Sequence, residues 1–100
     1  MLGLLAVLLQ MTKPYNDIEV TDKYIIREFN ENIDPIELMW HRDLHNRKIT
    51  VLEGNGWYFQ NDNELPFELK EGVHIFIPAK AWHRVIKGNS LLKIKIEESN

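Results

Sequence analysis

The sequence predicts an all-β fold in a single domain, and three observations carry that prediction. Short runs rich in β-branched and aromatic residues recur along the chain, each suited to a pleated, half-buried surface. Turn-forming residues punctuate them. No stretch beyond the N-terminus shows a sustained helical period. Eight or so short strands in 100 residues imply a closed barrel or a sandwich. Closure also removes the exposed edges that a strand-rich chain must manage.

The candidate strands are 18–20, 23–29, 36–41, 48–53, 57–60, 67–69, 73–77, 82–86 and 91–96. The last alternates cleanly, with Leu92, Ile94 and Ile96 on one face and Lys93 and Lys95 on the other. Asn55-Gly56 suits a tight hairpin, because both residues tolerate positive φ. Asn61-Asp62-Asn63 is a polar turn cluster, and Glu71-Gly72 and Lys87-Gly88-Asn89 mark further reversals. In the run 36–41, Ile36, Leu38 and Trp40 share one face, and Glu37, Met39 and His41 share the other. If the chain stays extended, Asp43, His45 and Arg47 remain on the face of His41. Such a polar cluster either faces solvent or lines a cavity.

Composition narrows the function classes. Net charge is −3, with acidic and basic residues interspersed, so no basic stripe exists to neutralise a phosphate backbone and nucleic acid is not an expected partner. The absence of cysteine excludes disulfides, thiolate metal sites and cysteine nucleophiles, and is compatible with a cytoplasmic protein. Hydrophobic residues at 44% and charged residues at 27% are ordinary for a globular chain. A domain this short buries only about 60–65% of its unfolded surface, so its core is small. No phosphate-binding glycine loop is present, since Gly54 and Gly56 belong to a turn. Ser90 and Ser99 lie in a turn and at the tail, not in a nucleophile elbow.

The first ten residues, MLGLLAVLLQ, carry no charged side chain. They fall short of the roughly 20 apolar residues that cross a membrane, and they lack the basic start and small-residue cleavage site of a signal peptide. Three readings compete: an upstream mis-start or sticky extension before Met11, a structured packing segment, and a targeting signal. If the segment is part of the folded protein its leucines need cover, and a partner subunit supplies it. The expected organisation is an apolar extension over 1–16 and one domain over 17–97.

Two segments carry chemistry: WHRDLHNRKITVLEGNG at 40–56 and GVHIFIPAKAWHR at 72–84. They resemble the two motifs of the small single-domain cupins. In that family the first motif is a glycine-bounded hairpin bearing His-x-His, then Glu or Gln, then a VLEG-like strand and turn, and residues 51–56 match its ending. The second motif is a glycine, a strand ending in Ile-Pro, a short loop and a histidine, matched by Gly72, Ile77-Pro78 and His83. The resemblance covers about 36–96. It implies an antiparallel double-stranded β-helix (a jelly-roll-like barrel), a small-molecule pocket in the barrel mouth and a homodimer.

Carried over position by position, the family's first-motif histidine falls on His41, its second on Asp43 and its Glu or Gln on Arg47. Its second-motif histidine falls on His83. Arginine cannot ligate a metal, because its guanidinium stays protonated. The four-ligand set is therefore not reproduced, and three arrangements stay open. His41, Asp43 and His83 form the two-histidine, one-carboxylate set of non-haem iron sites, with Arg47 free to fork onto a substrate carboxylate. Alternatively His45 joins His41 and His83 in a three-histidine site suited to Fe, Mn, Ni or Zn. In the third, no metal binds, and Asp43 and Arg47 line a polar pocket. His74 falls on an ordinary hydrophobic position of the family and reads as a strand histidine. Trp40, Trp57, Trp82, Phe59 and Phe76 read first as core or interface, with Trp82 or Phe59 as a pocket wall in a minority reading. The expected function is small-molecule binding in the barrel mouth with a divalent metal. The alternatives are a metal-dependent enzyme, oxygenase-like or isomerase-like, and a metal-free sensing module.

Overall fold

A computed structural model describes residues 15–33 and 38–100. The expected extension over 1–16 therefore lies almost wholly outside the described residues, as do Ile36 and Glu37. Eight strands follow in order: β1 (Asn16–Val20), β2 (Ile25–Phe29), β3 (Asn46–Glu53), β4 (Tyr58–Asn61), β5 (Phe67–Glu68), β6 (His74–Ile77), β7 (His83–Ile86) and β8 (Leu92–Ser99). A five-stranded sheet has the order β1-β2-β8-β3-β6, and a three-stranded sheet the order β5-β4-β7. Every strand pair is antiparallel.

The alternation along β8 is realised: Leu92, Ile94 and Ile96 are buried while the two lysines between them are not. Register carries the same parity sideways. Ile25, Ile96, Ile49 and Ile75 lie across one row of the large sheet, so four branched side chains share one level of the interior. Phe59 of β4 and the buried Trp57 close that interior from the small sheet.

Two expectations are corrected. The Asn55-Gly56 turn is present, with Gly56 at φ 75°, but it joins strands of different sheets and so is a corner, not a hairpin. The corner exists to deliver Trp57 to the core. Its indole Nε1 donates to the Ser90 carbonyl at 2.6 Å, and Ser90 Oγ accepts from the Asn55 N–H at 2.9 Å. The strand expected over 36–41 is also not formed in its described part. Among the described residues, only His41 of 38–41 finds a backbone partner, through a single bridge to His83. The segment meets the small sheet only at the end of β7, so its apolar alternation has no ladder to join.

Gly88 lies under the corner, where a Cβ would fall 2.5 Å from Trp57 Cδ1 and 2.6 Å from the Gly56 carbonyl carbon. Gly72 has φ 84° but open space around it. Gly88→Ala is expected to cost about 3 kcal/mol by overpacking and to alter the near-ultraviolet signal of Trp57. Gly72→Ala is expected to cost only the left-handed strain of about 1 kcal/mol. Urea midpoints of the two variants check the order, and equal midpoints contradict it.

Candidate functional site

The space between the sheets is a cavity of about 420 Å³. Its floor and walls are the inward aliphatic residues of the large sheet together with Phe59, and four of its polar residues cluster together: His41, Asp43, Arg47 and His83. Each is placed by a different device. Arg47 is the third-from-core member of the inward series Arg47, Ile49, Val51 on β3. His83 opens β7 and is 2% exposed. His41 is bound to it by both backbone hydrogen bonds, each 2.9 Å. Asp43 is held by its carbonyl, which accepts from the Lys80 N–H at 2.7 Å. Lys80 takes φ 66° to reach it, a conformation that costs a lysine free energy and that occurs here beside the polar cluster.

The ring nitrogens are assigned by their partners. His83 Nδ1 lies 2.9 Å from the Ala81 carbonyl, and His41 Nδ1 lies 3.1 Å from the Met39 carbonyl. A carbonyl only accepts, so each Nδ1 carries a proton. In the neutral ring each Nε2 is then a bare acceptor. His83 is held neutral: its pKa is lowered chiefly by burial, with His41 and Arg47 pushing the same way and the Ala81 carbonyl and Asp43 opposing. Its Nε2 lies 3.3 Å from Asp43 Oδ2. That oxygen is buried and has no hydrogen-bond donor. The bare His83 nitrogen therefore faces an acceptor that has no donor of its own.

One ligand atom from each of His41, Asp43 and His83 lies within 4.8 Å of the others. Two imidazoles and a carboxylate are a sound donor set for a divalent cation, and a cation among them would resolve the clash of acceptors. Both imidazoles donate Nδ1–H to a backbone carbonyl, which is the outer support that a ligating histidine needs. The imidazoles sit 4.2 Å apart at 67°, and His83 also stacks on Phe59 at 5.6 Å.

The remaining candidates divide. Arg47 lines the cavity, but its charge is already met: Nη1 lies 3.4 Å from Asp43 Oδ1 and Nε donates to Glu98 Oε2 at 2.9 Å. Phe59 is on the cavity wall. His45 is exposed and lies outside both the cavity lining and the triad. Trp82 is 45% exposed and is not among the lining residues; it lies beneath the Arg42 guanidinium instead. His74 is an exposed strand residue whose Nδ1 lies 3.1 Å from Thr50 Oγ1.

Two polar residues around the cavity were not anticipated. Arg27 lines the cavity, with its guanidinium 3.7 Å from the Tyr15 ring centroid and Nε 2.7 Å from Asp17 Oδ1. Its signal was strand parity, since it falls between Ile25 and Phe29 on the inward face of β2. Glu98, the partner of Arg47, continues the inward series of β8 two residues beyond Ile96.

No protein-family model and no curated protein matches the sequence. Solved structures do match. One, described as crystal structures of the DMSP lyases RdDddP and RnDddQII, has a TM-score of 0.65 at 20% identity, covering 80% of this chain and 40% of that chain. A cupin domain from Bordetella pertussis Tohama I has a TM-score of 0.57 at 15% identity, covering 86% of this chain and 92% of that one. The Fe(II) form of HppE has a TM-score of 0.59 at 20% identity, covering 85% of this chain and 48% of that one. This chain thus spans less than half of the two enzyme chains and nearly all of the Bordetella domain. At these identities the likeness speaks to fold.

The neutral state of His83 sets a pH dependence in the metal-free protein. Its folded pKa lies below the ordinary value of 6.5, so the unfolded chain takes up the proton first as pH falls. Stability is therefore full above that value and declines as pH drops below it. Denaturation midpoints measured in chelator between about pH 7.5 and 5 are expected to fall toward acid. His83→Asn is expected to flatten the slope, and a wild-type midpoint that rises toward acid contradicts the assignment.

Proposed function

We propose that this chain, which has the cupin fold, binds a small molecule in its cavity through a divalent metal held by His41, Asp43 and His83. The observation that supports this most is the buried Asp43 Oδ2, which faces the bare Nε2 of His83 at 3.3 Å with no donor. An unpaired buried acceptor costs about 1–3 kcal/mol, and this one sits where a cation would satisfy it together with both imidazoles. When bound, a divalent metal supplies Lewis acidity and open positions toward the cavity.

The chain's own residues have separate roles in this reading. His83 is held neutral by burial, and each imidazole is oriented by a carbonyl on Nδ1. Asp43 supplies the negative ligand. Arg47 stays paired with Glu98 while Asp43 turns to the metal. Arg47, Asp43 and Glu98 together leave a net negative charge, which a divalent cation reverses. An anionic group of the ligand is therefore drawn by the loaded site and not by the empty one. Phe59 and the aliphatic walls contact the apolar body of the ligand and exclude water. The metal is drawn from Fe, Mn, Ni and Zn.

A catalytic use of the same site is the second reading. Its support is the donor set, since two histidines and one carboxylate leave positions free for a substrate and a second reactant. A homodimer is also part of the proposal. Ile18 and Val20 on the edge strand β1 are 51% and 66% exposed, and the apolar run 1–10 lies upstream of them in sequence. Light scattering reads the mass directly, and a monomer defeats it. A cytoplasmic setting rests on the cysteine-free composition. Among the described residues no helix is long and apolar enough to cross a membrane.

Metal content and affinity test the central reading. Tag-free protein offered Fe(II), Mn(II), Ni(II) and Zn(II) is expected to retain one equivalent of at least one of them. His83→Ala is expected to weaken retention by at least about 100-fold, and His45→Ala to leave it unchanged. Asp43→Asn should also lose the metal, yet its chelator-treated form should be at least as stable as wild type, because an amide N–H can meet His83 Nε2. Wild-type protein that retains none of the four metals refutes the proposal.

A further inference from the structure

The tripeptide Trp-His-Arg occurs twice, at 40–42 and at 82–84. The two copies meet antiparallel, with His41 and His83 as the bridge pair. In that pairing residue 40 lies opposite 84, and residue 42 opposite 82. Both crossings are filled the same way. The Arg84 guanidinium carbon is 4.9 Å from the Trp40 ring centroid, and that of Arg42 is 5.1 Å from the Trp82 ring centroid. Both fall within cation–π range. The likeness continues inward, where each histidine donates Nδ1–H to the carbonyl two residues before it, Met39 in one copy and Ala81 in the other. The two units are thus related by a local two-fold passing between the imidazoles. Asp43 follows only the first copy and breaks the symmetry by adding the third donor.

This doubling meets a need. The segment that carries His41 and Asp43 is not a strand, and among the described residues its backbone bonds to the rest of the protein are the His41–His83 pair and the Lys80–Asp43 bond. Three bonds leave its register weakly specified. A slip of one residue would set Trp40 or Arg42 opposite His83 in place of His41 and break the imidazole pair. The two Trp–Arg crossings oppose that slip, because each matches a ring to a cation only in the observed register.

We propose that the doubled Trp-His-Arg unit is a clasp, and that Trp40, Arg42, Trp82 and Arg84 are positioning residues which hold His41 at ligand distance from His83. Its effect on metal affinity rests on the metal reading above; its effect on the backbone pair does not. The variant R42M/R84M removes both cations while keeping unbranched side chains over the rings. Two measurements follow. In chelator-treated protein, the His41 and His83 amides are expected to exchange with solvent at least about tenfold faster in R42M/R84M than in wild type, with the amides of β3 and β8 unchanged. Co(II) affinity is expected to weaken by at least about tenfold, the scale for outer-shell partners of ligating histidines. R42K/R84K, which keeps a cation over each ring, is expected to recover most of both. Unchanged amide exchange in R42M/R84M overturns the clasp whatever the metal does. Wild type that binds neither Co(II) nor any of Fe(II), Mn(II), Ni(II) and Zn(II) removes the metal reading and leaves the exchange result to decide the clasp. Should the double variant not fold, R42M and R84M singly carry the same readouts.

Discussion

The antiparallel pair between His41 and His83 is the joint on which the site depends. One imidazole arrives on a loop segment, the other on the first residue of β7, and two backbone hydrogen bonds fix them side by side. The carbonyls of Met39 and Ala81 then set both tautomers, and the His83 Nε2 turns toward Asp43. The Lys80 loop completes the frame by holding the Asp43 backbone, at the cost of a left-handed lysine. Nothing about the aliphatic floor of the cavity requires these devices. They serve the polar side alone.

That polar side is arranged against the stability of the metal-free chain. A buried carboxylate oxygen without a donor and a buried neutral histidine with a bare nitrogen are each unfavourable. Local conflicts of this kind concentrate where a protein has work to do, because a ligand that relieves them draws its binding energy from that relief. Arg47 illustrates the same economy of charge. Its two carboxylate contacts keep it satisfied without a ligand, so in the proposed reading attraction of an anionic partner falls to the metal and not to Arg47.

Much of the fold was legible because one-sided burial writes itself into alternation. Residues 91–96 show it openly, and β8 follows with Leu92, Ile94 and Ile96 inward. The place of His83 on the cavity was legible from its spacing after Ile77-Pro78. The places of Asp43 and His45 were not, because parity arguments assume an extended chain. The chain bends at Leu44 and His45, so Asp43 and Arg47 converge on the cavity while His45 points to solvent. Arg47 seemed free because its partner Glu98 lies 51 residues away in sequence, beyond any local pattern. The Asn55-Gly56 turn looked like a hairpin for the same reason: its residues specify a reversal, while the burial of Trp57 decides which sheet the next strand joins.

X-ray absorption at the metal edge of the Zn(II)-loaded protein tests the central claim most directly. The account predicts a first shell with two imidazole nitrogens and a carboxylate oxygen, at the roughly 2.0–2.2 Å typical of zinc sites. A shell with three imidazoles would bring His45 into the site, and a shell of solvent oxygens alone would remove the site altogether. Either contradicts the triad of His41, Asp43 and His83.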